Sequence, residues 1–139
     1  LIPAARMPYQ EARTITETME AELSDGLVLP SLSNILLPSL DRFFQYTAEH
    51  EAGITQGILT VSLERYRLAH GTPPDRLDTL VPHYLDAMPM DPFSQQPFHY
   101  RREGDGYTIY SVSANGIDDG GVEGSSFYKE GDLVFRVCR

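Results

Sequence analysis

One loop of this sequence concentrates glycines and oxygen-bearing side chains. Ser113-Ala114-Asn115-Gly116-Ile117-Asp118-Asp119-Gly120-Gly121-Val122-Glu123-Gly124-Ser125-Ser126 is dense in carboxylates and glycines, and Asp132 follows it closely. Hard cations such as calcium select carboxylate and carbonyl oxygens of this kind, so the loop is a candidate calcium site. Catalytic chemistry finds less support. His50, His70, His83 and His99 are scattered and lack the His-Glu-x-x-His spacing of a helical metal site. The adjacent pair Asp118-Asp119 could in principle exchange protons. Neighbours in an open loop, however, lack the buried surroundings that tune carboxylates for acid–base work. There is no Gly-x-Ser-x-Gly elbow and no glycine-rich phosphate loop before a lysine. The expectation is a protein that is not an enzyme.

Strand-like runs flank the loop. Tyr107–Val112 precedes it, and Asp132–Val137 follows. Upstream, Pro97–Arg102 alternates in the strand manner, with Glu103-Gly104-Asp105-Gly106 as a hairpin turn. Before these, Met90-Asp91-Pro92-Phe93-Ser94 reads as a turn, because Pro92 fixes its own φ and keeps Asp91 out of the helical region. Asp75 is placed to cap a short helix over Arg76–Leu80. A long helix is expected from about Ser39 to His70, with Pro38 in its first turn, Gly71 as its C-terminal cap and a break near Glu51–Gly53. Its second half carries two apolar stripes. One is Ile54, Ile58, Val61 and Leu68, and the other Leu59, Leu63 and Tyr66, with Gln56, Thr60, Glu64 and Arg67 on the remaining arc. Two stripes predict burial on two sides, one against a sheet and one against the N-terminal helix or another subunit.

Residues 1–37 read as a separate flank, the tail of an upstream domain in one reading. Ala12, Ile15, Met19 and Leu23 recur at helical spacing, and Leu27–Leu37, broken by Pro30, is expected to be an extended or irregular connector. Residues 38–139 form the second region. The fold class is α+β: a long N-terminal helix packed on a small three- to four-stranded antiparallel sheet, with an extra N-terminal helical segment.

Charge narrows the partners. Eleven basic against twenty acidic residues among 139 give a net charge of −9. That balance disfavours nucleic acid and anionic lipid, which a basic face would attract. No run of 18 apolar residues exists, so no membrane contact by this segment is expected. The chain opens on Leu1 rather than Met, which suggests an excised or processed segment. Cys138, the one cysteine, is expected to close a strand as a small half-buried side chain.

Ser62–Gly71, Leu77–Leu85, Pro89-Met90-Asp91-Pro92-Phe93 and Gly106–Gly116 together resemble, in the same order, the soluble domain of the type II secretion major pseudopilins. Similar modules also end larger bacterial proteins. The resemblance spans about residues 38–137, and residues 1–37 find no counterpart in it. It implies a helix laid against a small antiparallel sheet. It also implies an extracytoplasmic, periplasmic place reached through a hydrophobic anchor that these residues do not contain. The partners implied are related pseudopilin-like subunits, or self-association through the long helix. The family's calcium loop, carried over by position, has a Val112 carbonyl, Asn115 and Asp132 as ligands. Asn115 stands where the family has aspartate, so Asp118 or Asp119 would have to replace the lost carboxylate. The alternative function is a ligand-binding terminal module for carbohydrate, peptide or protein. It expects a concave pocket lined by Tyr100, Tyr110 or Phe127 beside the loop.

Overall fold

The computed structural model describes residues 8–25, 30–124 and 131–138, with the backbone alone for 23–25 and 30–37. The class is α+β: two helices, α1 (Tyr9–Asp25) and α2 (Pro30–His70), a 3-10 turn over Leu77–Leu80, and three antiparallel strands. These are β1 (His99–Glu103), β2 (Gly106–Ser111) and β3 (Leu133–Val137), in the spatial order β1-β2-β3. Two compact units divide the chain, Leu1–Ala48 and Glu49–Arg139. The boundary falls inside α2, beyond the position near residue 37 at which the composition changes.

In the first unit, α1 buries Tyr9, Ala12 and Thr16 while Ile15 and Met19 stay exposed. The buried arc is therefore turned by about one position from the expected Ala12-Ile15-Met19 stripe, and the side chain of Leu23 lies outside the described residues. Arg13 pairs with Glu17 one turn on at 2.8 Å. Residues 30–37 are helical, which corrects the extended connector expected there. Pro30 occupies the first helical position, where a missing N–H costs nothing. Pro38 sits inside the helix and removes one backbone hydrogen bond, which the rest of the 41-residue element tolerates. No break occurs near Glu51–Gly53 either.

The second unit carries the sheet. Leu59 and Leu63 are fully buried, whereas Ile54, Ile58, Val61 and Leu68 are exposed. One stripe of α2 thus faces the sheet and the other faces away. Polar groups fix the contact. Gln56 Nε2 donates to the Leu133 carbonyl at 2.7 Å, joining α2 to β3. Tyr107 of β2 donates its hydroxyl to Glu64 at 3.2 Å, and Glu64 also receives Arg67 at 2.8 Å. The polar arc of α2 is therefore partly turned inward.

Every residue of β2 is buried. A strand buried on both sides needs two covers, and α2 is one of them. Register identifies the other. His99, Arg101, Thr108, Tyr110 and Arg136 share the opposite face through the pairs His99↔Tyr110, Arg101↔Thr108 and Thr108↔Arg136. Across that face lies the loop after β2, with a methyl added at Gly121 falling 3.2 Å from the Tyr110 ring. The loop is the second cover of the sheet.

Two local expectations need correction. The short helix is a 3-10 turn, and no side chain caps it. Asp75 instead pairs with Arg102 of β1 at 2.7 Å. Cys138 is exposed rather than half-buried, because β3 ends at Val137.

Candidate functional site

Asp91 organises the start of the loop. Its side chain is fully buried, yet it is surrounded by donors. Oδ1 accepts the Phe93 amide at 3.0 Å and the Ser111 hydroxyl at 2.8 Å. Oδ2 accepts the Ser94 hydroxyl at 3.1 Å and the Val112 amide at 3.3 Å. The first pair of donors along the chain, Phe93 and Ser94, closes an Asx-type turn on Asp91 itself. The second pair comes from the end of β2. A buried carboxylate is tolerated only when hydrogen-bonded in this way. The adjacent proline marks Asp91 as a turn residue, and Ser94, three residues on, is the local sign of its fuller role.

Of the five expected ligands, Asn115, Asp119 and Asp132 are joined by hydrogen bonds, while Val112 belongs to another cluster. Val112 is buried, and its amide belongs to the Asp91 cluster. Asn115 receives the Ile117 amide on Oδ1 at 3.1 Å and donates through Nδ2 to Asp119 at 3.0 Å. Asp118 accepts the Gly120 amide at 2.9 Å and stands 3.5 Å from His99 Nδ1. The Gly120 amide, then the Tyr110 hydroxyl and His99, hold the Asp118 carboxyl below the usual carboxylate range. Asp132 is buried, accepting Gly121 N–H on Oδ2 at 2.7 Å and Asp119 N–H on Oδ1 at 3.4 Å. Burial raises its pKa, and the charges of Asp118 and Asp119 add to the rise against the two amides. Ser125 and Ser126 lie outside the described residues.

Two arginines, absent from the sequence argument, complete the loop. Arg101 of β1 donates to the Gly120 carbonyl and Arg136 of β3 to the Gly121 carbonyl, each at 3.4 Å. A calcium ion wants about six to eight oxygens at ~2.3–2.6 Å. Here both Asp132 oxygens face amide hydrogens, and two of the loop carbonyls face guanidinium groups. Among the described residues no three His, Cys, Asp or Glu side chains are grouped to hold a metal. Amides and arginines thus meet part of the loop's negative charge, and residues 125–130 of the same loop lie outside the described residues. Calcium added to chelator-treated protein tests the expected site, since an ion that binds only the folded state raises Tm. A rise of several degrees that is lost in Asp132→Asn is the result expected of a calcium loop, and an unchanged Tm removes calcium from the account.

Two open grooves are found among the described residues of this unit. One, of about 800 Å³, is bounded by Asp75–Asp78, Val81, Met88 and Pro97–Tyr100. Tyr100 is in its wall and donates its hydroxyl to the Pro74 carbonyl at 2.6 Å; burial pushes its pKa up to about 12. No residue of the Asn115–Gly124 loop lines this groove, but His99 in its wall stands 3.5 Å from Asp118 of the loop. Tyr110 lies beneath the loop rather than in a pocket, and Phe127 is outside the described residues. The second groove, of about 740 Å³, runs beside the exposed stripe of α2, between Ile54–Arg65 and Pro82–Asp86. Tyr84 in its wall packs edge-on against Tyr66, with Arg65 5.8 Å above its ring. No helix among the described residues is long and apolar enough to cross a membrane. Comparison of the chain with protein-family models, with curated proteins and with solved structures finds no match.

Proposed function

We propose that this chain is a non-enzymatic, pseudopilin-like structural and assembly module of a bacterial extracytoplasmic or secretion-related protein, which binds other subunits along α2. The observation that carries the reading is the pair of stripes on one helix. Leu59 and Leu63 are buried under the sheet, while Ile54, Ile58, Val61 and Leu68 face away from it uncovered. Four large aliphatic side chains in one exposed row on a helix are the composition of a contact surface rather than of scattered surface residues. The order of the motifs from Ser62 to Gly116 supports the pseudopilin likeness, as does the arrangement of a helix on a three-stranded antiparallel sheet. The ligand-binding alternative rests on the groove containing Tyr100, which meets the acidic loop only through His99, 3.5 Å from Asp118.

Photo-crosslinking from position 61 in the cell that makes the protein tests this. Adducts with a protein chain are expected. Their absence under conditions that label a control interface removes the assembly reading.

A further inference from the structure

Resting on that reading, we infer that the subunit bound along α2 is a second copy of this chain, docked antiparallel over Glu51–Leu68. Glu51, Ile54, Ile58, Val61, Arg65 and Leu68 follow one another at alternating spacings of three and four. That is the seam of a two-helix contact, with apolar residues at four of its six positions. The seam is exposed along its length, from Glu51 through Arg65 to Leu68.

One glycine borders the seam. Gly57 lines the groove with Ile54, Ile58 and Val61, and a Cβ there would meet nothing within 4 Å. No contact among the described residues of the second unit needs it small, and glycine weakens a helix interior relative to alanine. A neighbouring helix that approaches closely gives it a use, with Pro82–Asp86 as the wall that would flank it.

Charge selects the direction and the partner. Glu51 and Arg65 are the charged residues of the seam and stand toward its opposite ends. In a parallel pair, Glu51 would meet the partner's Glu51 and Arg65 the partner's Arg65, two like-charge contacts. In an antiparallel pair, Ile58 packs on the partner's Val61, and Arg65 comes within a turn of the partner's Glu51, twice by symmetry. Opposite charges at the two ends of one seam make it complementary to itself when reversed. A different protein would need to carry the mirror pattern independently.

The test is sedimentation equilibrium of the full 139-residue chain with four variants. The unaltered chain is expected to dimerise. Ile58→Glu is expected to abolish the dimer while leaving Tm unchanged, since that side chain is exposed in the single chain. Glu51→Lys and Arg65→Glu should each weaken association about fivefold or more, and the double variant should recover to within about twofold. Recovery is the signature of reversed pairing. A chain that stays monomeric up to ~1 mM overturns the inference. So does a dimer indifferent to Ile58→Glu, or a double variant no better than its parents. Should the chain be monomeric while position 61 still crosslinks to a different protein, the second copy is wrong and the assembly reading stands.

Discussion

Asp91→Ala is expected to lower the unfolding free energy by about 4 kcal/mol, the largest loss of any single side chain discussed for this fold. The replacement strands the amides of Phe93 and Val112, both of which point at the carboxylate. A buried donor left without an acceptor costs ~1–3 kcal/mol. The hydroxyls of Ser94 and Ser111 lose the same acceptor but can rotate toward others. Asp91→Asn is expected to cost less, about half, because Oδ1 is kept while the new amide nitrogen meets donors where Oδ2 had accepted. Urea denaturation of the three proteins measures both values. A loss below ~1 kcal/mol for Asp91→Ala would mean that the turn and the end of β2 hold together without it.

Gly131→Ala is the second large effect. Gly131 has φ +80, a left-handed conformation that glycine adopts freely. Its Cα also faces the returning loop: an added Cβ would lie 2.5 Å from Gly124 Cα and 2.6 Å from Gly124 N. Both are backbone atoms and cannot step aside as a side chain end would. The loop must then open at the parallel bridge Glu123↔Asp132, losing the Asp132 N–H to the Val122 carbonyl at 2.8 Å. Loss of about 3 kcal/mol is expected, from strain and the broken bridge together. Gly120→Ala is the matched control. It has φ +73 with nothing within 4 Å of the new methyl, so only the left-handed strain of ~1 kcal/mol applies. Amide hydrogen exchange at Gly121 and Asp132 should quicken in Gly131→Ala and stay slow in Gly120→Ala. Equal effects in the two variants would show that the close approach to Gly124 is unimportant.

Much of this fold is written locally. Alternation places β1, and the strand-like runs on either side of the loop place β2 and β3, each to within a residue or two. The two stripes of α2 were legible from spacing alone, since 3.6-residue periodicity separates Leu59 and Leu63 from Ile54, Ile58 and Val61. Which stripe meets the sheet was not legible, because both are equally apolar and only the tertiary arrangement distinguishes them. The segment 30–37 is helical rather than extended because Pro30, a break in a helix interior, is a start at the first helical position. The loop's composition marks it as a candidate cation site, and composition alone does not show the amides and arginines that meet its oxygens. Arg101 and Arg136 lie on strands remote in sequence from Gly120 and Gly121, and only the register of the sheet carries them to the loop. Asp91 escaped for a related reason, since two of its four donors arrive from Ser111 and Val112, twenty residues away.

What remains is whether the uncovered side of α2 is where this molecule meets others. Val61 on α2 and Ile117 on the loop have the same exposure, 60%, so a photo-crosslinking residue placed at each samples solvent equally. The account predicts adducts from position 61 and none from position 117. Adducts from position 117 alone would contradict it, and would move the contact surface from the helix to the acidic loop.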